Sequence, residues 1–283
     1  MRYIDLHVHS NCSDGTFSPE ELVVLGIKQE LVAFALTDHV TISGVERAIK
    51  KAEEFDNKIQ VIPGMELSCK YTISSSQSVE IHMLGYRYDI HNKKLIATLE
   101  DISNERDERN RKMCSNLQNA GFPISYDMLC ERFGDTILTR AHFARLLLEN
   151  GGVPSLDYAF RTCLSSDSPY FVNREYLTPK DAIDLIRASG GIPVLAHPLL
   201  YKLSVSQIRR LLDDLTSYGL CGIEAIYSRN RGTDEAFVRK LAEEYHLFIT
   251  GGSDFHGANK PDIELGRGTG NLRVPVMLLE NLR

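Results

Sequence analysis

Apolar positions in the first ninety residues fall into short β-rich runs, Tyr3 to His7, Val32 to Thr37, Ile59 to Ile62 and Val79 to Tyr86, with helical patterns between most of them. The first helix opens at Ser18, Pro19, Glu20 and Glu21, where serine caps, proline suits the first turn and two acids meet the positive end of the dipole. A second fits Gly44 to Phe55. The rhythm breaks at Lys93. From there to about Leu177 the chain carries long charged helical stretches and no run that reads as a buried strand, which predicts an inserted helical subdomain over residues 93–177. Thr178 and Pro179 form another capped start, after which strands are expected at Ile192 to Ala196, Gly222 to Tyr227 and Leu247 to Thr250. Seven strands separated mainly by helices predict an α/β barrel of the (β/α) kind, built from residues 1–92 and 178–283. The alternative is an open doubly wound sheet.

Composition narrows the setting. The 283 residues are 43% hydrophobic and 25% charged, with no apolar run near the roughly 20 residues needed to cross a bilayer. The N-terminus runs straight into a strand-like alternation and lacks a signal-peptide pattern, so a soluble cytoplasmic protein is expected. Six scattered cysteines contain no C-x-x-C pair, which argues for reduced thiols rather than disulfides or a zinc ribbon. A formal net charge of −6 argues against adhesion to duplex DNA. It leaves room for a small anionic substrate, because bound metal ions reverse the local field.

Candidate metal ligands recur at strand ends. His7 and His9 follow the first strand, His39 the second and Glu66 the third; His82 lies within the fourth, His197 follows the fifth, and Asp254 and His256 follow the seventh. The C-terminal ends of barrel strands share one rim, so these side chains are expected to converge. His7 and His9, two apart on a strand, point the same way and can grip one ion. Asp14 offers an oxygen nearby, or is an ordinary turn aspartate. Asp38 reads as a capping or supporting carboxylate. Glu66 is the bridging candidate, since a carboxylate has two oxygens to share between ions. Mixed nitrogen and oxygen donors suit zinc, manganese or iron. His91 and His246 are expected to face solvent. His142 lies in TRAHFAR, a stretch that offers either substrate contacts from Arg140 and Arg145 or a helix start capped by Thr139 with surface ion pairs. Arg106, Arg109, Arg111 and Lys112 interleave with acids and read as a solvated helix face. Tyr170 and Phe171 are candidates to stack on a base, or core residues.

The segments DLHVHSNCSDGTFSPEEL, ALTDH, IPGMELS, EIHMLGY, LAHP and GSDFH, in that order, resemble the successive motifs of the polymerase and histidinol phosphatase (PHP) superfamily. The likeness runs nearly end to end and, with TRAHFAR in the insertion, is greatest to the branch of nucleotide 3′,5′-bisphosphate phosphatases and short-RNA 5′ exonucleases. It implies a distorted, TIM-like seven-stranded barrel and two or three divalent ions (Mn, Fe or Zn) held by His7, His9, Asp14, His39, Glu66, His82, His197, Asp254 and His256. Catalysis would involve Asp14, Glu66 and His197, with water deprotonated on the metal attacking phosphorus in line. Arg140, Arg145 and Arg267 are candidates to hold substrate. The expected substrate is a nucleotide bisphosphate or the 5′ end of short RNA; histidinol phosphate, or a non-catalytic metal-stabilised module, is the alternative. Val40 departs from the pattern, since many relatives carry an acid after the motif histidine.

Overall fold

The structure, a computed structural model, describes residues 2–75, 77–134, 136–173 and 176–282. Strands β1 (Tyr3–Val8) and β2 (Leu31–Leu36) are almost wholly buried, as strands covered on both faces must be, and apolar apart from Asp5 and His7 in β1. The connection between them is α1 (Pro19–Lys28), which starts with a reciprocal capping box between Ser18 and Glu21. Next, α2 (Val45–Glu53) leads to β3 (Gln60–Ser74), which turns directly into β4 (Gln77–Tyr86). A parallel return needs a crossover of a dozen or more residues, and none is present, so β4 pairs antiparallel with β3.

After the helices described below, α7 (Pro179–Ala188), β5 (Ile192–Leu195), α8 (Val205–Tyr218), β6 (Gly222–Tyr227), α9 (Asp234–Glu244) and β7 (Phe248–Gly252) restore the alternation. A two-residue β8 (Val274–Pro275) pairs with the start of β1, giving the order β7-β6-β5-β4-β3-β2-β1-β8. The sheet nearly closes on itself: the Asp254 N–H donates to His7 O at 2.8 Å and the His9 N–H to Phe255 O at 3.0 Å. The architecture is therefore a distorted TIM-like barrel of seven main strands. Its departure from uniform alternation is that β4 runs antiparallel to both β3 and β5. Among the described residues, no helix is long and apolar enough to cross a membrane.

On one face of the strands, Ala33, Ala35, Ile62, Leu84, Val194 and Ala196 share an apolar cluster. Side chains repeat every second residue along a strand, so continuing from Ile62 along β3 reaches Glu66, and stepping back from Leu84 along β4 reaches His82. The expectation that Glu66 follows the third strand is corrected, because β3 runs on to Ser74 and places Glu66 within it; His82 lies within β4 as expected. It sits mid-strand opposite Ser68 and arrives at the cluster because its strand is reversed.

Between β4 and β5 lie α3 (Lys93–Asn119), α4 (Tyr126–Phe133), α5 (Arg140–Glu149) and a single turn α6 (Leu156–Tyr158) that passes into a π-helical turn, Ala159–Cys163. Met113, Leu117, Leu129, Phe143, Leu147 and Cys163 make a core drawn wholly from this segment.

Candidate metal centre

Glu66 lies at the middle of the cluster. Its Oε2 is 3.3 Å from His7 Nε2, 3.2 Å from His9 Nε2 and 3.3 Å from His39 Nδ1. The other oxygen, Oε1, is 2.8 Å from His82 Nδ1 and 3.1 Å from His197 Nε2. Asp254 Oδ1 stands 3.5 Å from His9 Nε2 and 3.4 Å from His256 Nδ1. Asp14 places Oδ1 3.2 Å from His256 Nε2 and Oδ2 3.7 Å from His39 Nε2. Three sets have ligand atoms all within 4.8 Å of one another: His9, Asp14, His39 and His256; His7, His9 and Glu66; and His39, Glu66 and His82.

The donor set fits divalent ions on a physical test. His7 Nε2, both ring nitrogens of His9, His39 Nδ1 and His197 Nδ1 are buried without a hydrogen-bond partner. Leaving such an atom unsatisfied costs about 1–3 kcal/mol, so these four histidines, each with one lone pair when neutral, call for cations to take them. The ionisation states agree in part. Burial favours the neutral acids, yet His82, His39 and His7 hold Glu66 well below the usual carboxylate range, and Lys260, His256 and His7 do the same for Asp254. Burial lowers His9 and brings His39 to about 4, leaving neutral imidazoles ready to coordinate. At His7 and His82 burial is outweighed by carboxylates, Glu224 and Glu66 on the first, Glu66 and Glu80 on the second, so protons and metal ions compete there.

The surrounding shell is equally polar and buried. Glu224, in β6, accepts at Oε1 from His7 Nδ1 at 3.0 Å and at Oε2 from the His197 N–H at 2.8 Å. That second contact holds His197 in a left-handed conformation (φ 23°), unusual for a residue with a Cβ. Asp38 accepts from the Ser10 N–H and from the Ser10 and Ser13 hydroxyls, fixing the turn that carries Asp14; it is a supporting carboxylate. Asp5 does the same for the Ser253 and Gly266 N–H groups, and burial raises its pKa to about 6. A Cβ at Gly252 would lie 2.3 Å from His7 Cβ, so only glycine admits the histidine there. Val40 is buried, and its N–H donates to Glu66 O at 3.1 Å.

A cavity of about 530 Å³ opens onto Asp14, His39, His82 and His256. Arg140 and Arg145 line it: Arg140 faces Glu80 at 3.6 Å, and Arg145 donates to Glu149 and Asn259. Arg267 does not; it is exposed on a turn closed between Glu264 and Gly268. Two further cations belong to the lining against expectation. Arg106 and Arg109, read from sequence as part of a solvated face, are only 6% and 8% exposed and turn into the cavity, while Arg111 and Lys112 remain outside. Lys260, missed in the sequence, also lines it and donates to Asp254 Oδ2 at 2.6 Å. Tyr170 and Phe171 pack against the core of the helical segment instead, Tyr170 edge-on to Phe122 and Phe171 beneath Arg109. His91 and His246 are exposed.

His142 serves the helix rather than the cluster. The Thr139 N–H donates to its Nδ1 at 2.9 Å, closing a capping box at the start of α5. Burial, reinforced by Arg145 and Arg106 against the pull of Asp14, lowers its pKa from 6.5 to about 4. The folded state thus binds this proton less readily than the unfolded chain, so its stability is full above pH 6.5 and falls between pH 6.5 and about 4. A shift of that size corresponds to about 3 kcal/mol. His142→Gln keeps an acceptor at the capping position and removes the titration. Urea unfolding in chelator should show the variant losing about 3 kcal/mol less than wild type from pH 7 to pH 4; parallel losses would refute the assignment.

A barrel with a polymetal-type donor cluster and a cationic cavity defines a metal-dependent phosphoesterase. The PHP domain model matches residues 5–153, and the chain belongs to that family. It is 34% identical to a 5′-3′ exoribonuclease of Haemophilus influenzae, over 89% of both chains. With a 3′,5′-nucleoside bisphosphate phosphatase of Chromobacterium violaceum it shares 31% identity over 94% of this chain and 91% of the relative. A solved structure from Bifidobacterium adolescentis, described as a candidate metal-dependent phosphoesterase, superposes with a TM-score of 0.84 at 27% identity, covering 99% of this chain and 95% of its own.

Proposed function

We propose that the protein hydrolyses phosphate esters of nucleotides, either 3′,5′-bisphosphates or the 5′ end of short RNA, at a centre of two or three Mn, Fe or Zn ions. The observation that carries this is the single cavity that joins the histidine and carboxylate cluster to Arg140, Arg145 and Lys260. The ligands assigned are His7, His9, Asp14, His39, Glu66, His82, His197, Asp254 and His256. Bound there, the ions would acidify a water and neutralise phosphate oxygens. Glu66 offers one oxygen to each side of the cluster, and His197 Nε2, 3.1 Å from Oε1, keeps that oxygen in place. Asp14, held ionised by His39 and His256 despite burial, offers its carboxylate to the ions, and it or a neighbouring histidine assists proton transfer to the leaving oxygen. Arg140 and Arg145 hold a second phosphate by charge-assisted hydrogen bonds. Residues 93–177 act as a cap inserted into a barrel of 1–92 and 178–283, its separate core supporting that division. Cytoplasmic residence accords with six free cysteines among the described residues.

Phosphate release from adenosine 3′,5′-bisphosphate, a 5′-phosphorylated trinucleotide and histidinol phosphate tests the reading. Release from a nucleotide substrate should disappear in chelator and return with manganese. Release only from histidinol phosphate would overturn the substrate assignment, and no release from any would favour a non-catalytic module.

A further inference from the structure

One part of the cavity lining carries no charge. Leu156 and Phe160, each 41% exposed, border the same space as Arg140, Arg145, His82 and His256. Large apolar side chains left open singly on a surface need no explanation. Here two from one short segment face a cavity that is otherwise rich in charge. Phe160 belongs to the π-helical turn, in which the Leu164 N–H donates to Ala159 O at 3.0 Å. Such turns are rare and concentrate at functional sites. Ala159, Cys163 and Leu164 are fully buried in the core of the helical segment, so the turn is anchored beneath while Phe160 is presented to the cavity.

A ligand that fits must be anionic at one end and flat and apolar at the other. We infer that Leu156 and Phe160 form the platform on which the base of the nucleotide stacks while its phosphates lie towards the cations and the cluster, an assignment that rests on the nucleotide phosphoesterase reading. Phosphate alone, or a sugar phosphate, leaves this surface bare. Stacking on an aromatic side chain is worth about 1–3 kcal/mol per base and accepts any base, because every base has a π-face.

The chain contains no tryptophan, so Phe160→Trp installs a single indole on the platform. In the manganese-loaded variant, adenosine 5′-monophosphate should quench indole emission saturably, and ribose 5-phosphate should not. In parallel, Phe160→Ala should raise KM for adenosine 3′,5′-bisphosphate roughly tenfold with kcat little changed, and leave the kinetics of the corresponding base-free ribose bisphosphate as in wild type. Equal quenching by both probes, no quenching, or equal kinetic losses on both substrates would overturn the platform. Saturable quenching by the nucleotide without phosphate release from any substrate would support the platform and overturn only the hydrolytic reading.

Discussion

Glu66→Gln should strip the protein of bound metal and of turnover together. The side chain keeps its size but loses its charge, and only one of its two donor positions remains an oxygen. Because Glu66 faces His7, His9 and His39 with one oxygen and His82 and His197 with the other, no orientation of an amide serves both sides. Outer partners of metal ligands typically cost 10- to 100-fold when changed, so a central ligand should cost on the order of 100-fold or more in kcat. Metal content, measured by mass spectrometry on the purified protein, should fall by at least one ion per chain. Stability supplies a second readout. Ligand at 100 times its Kd stabilises the folded state by about 2.7 kcal/mol, which for a chain of this length raises Tm by roughly 5 °C or more. Wild type should show that rise with manganese, and the variant little of it. Full activity with unchanged metal content would refute the bridging role.

How much of this was readable beforehand depends on how local each signal is. Strand and helix positions were legible because two- and 3.6-residue periodicities are written into adjacent residues, as in Leu31 to Leu36 and the cap at Ser18. The direction of β4 was not, since nothing within Val79 to Tyr86 records which way a strand runs; only the missing crossover between β3 and β4 does. The residues that meet at the cluster carried sharp local patterns, HVH and GSDFH above all. The cap side of the cavity did not. In α3, Arg106 and Arg109 sit among acids and resemble solvated positions, yet they share the inward face with Leu95, Leu99, Met113 and Leu117. A face that is apolar at both ends and basic between is set by what it packs over, and sequence pattern alone does not say. Glu224 was legible and overlooked: an acid inside the otherwise apolar strand GIEAIY is costly to bury without a partner.

That residue carries the second large effect. Glu224 is 1% exposed and makes two different contacts, accepting from a ring nitrogen of His7 and from the backbone N–H of His197. The first requires the proton on His7 Nδ1, which leaves Nε2 as the lone pair facing Glu66 and Asp254. Glutamine matches the carboxylate in shape but has only one acceptor. Turned to receive the His197 N–H, it presents its NH2 to His7, which drives the imidazole proton to Nε2 and blocks coordination; turned the other way, it sets two donors against each other at His197. A carboxylate that merely filled space would be replaced by glutamine without loss. A carboxylate that sets a tautomer would not, so Glu224→Gln should weaken manganese binding by roughly 10- to 100-fold, and Glu224→Ala should weaken it no more. Metal affinity by competition with a chelator measures this directly. The Nδ1–H resonance of His7 in the zinc-loaded protein, seen by NMR in wild type, should vanish or shift in Glu224→Gln. Wild-type metal affinity in the glutamine variant would show that Glu224 does not govern which nitrogen of His7 faces the ions.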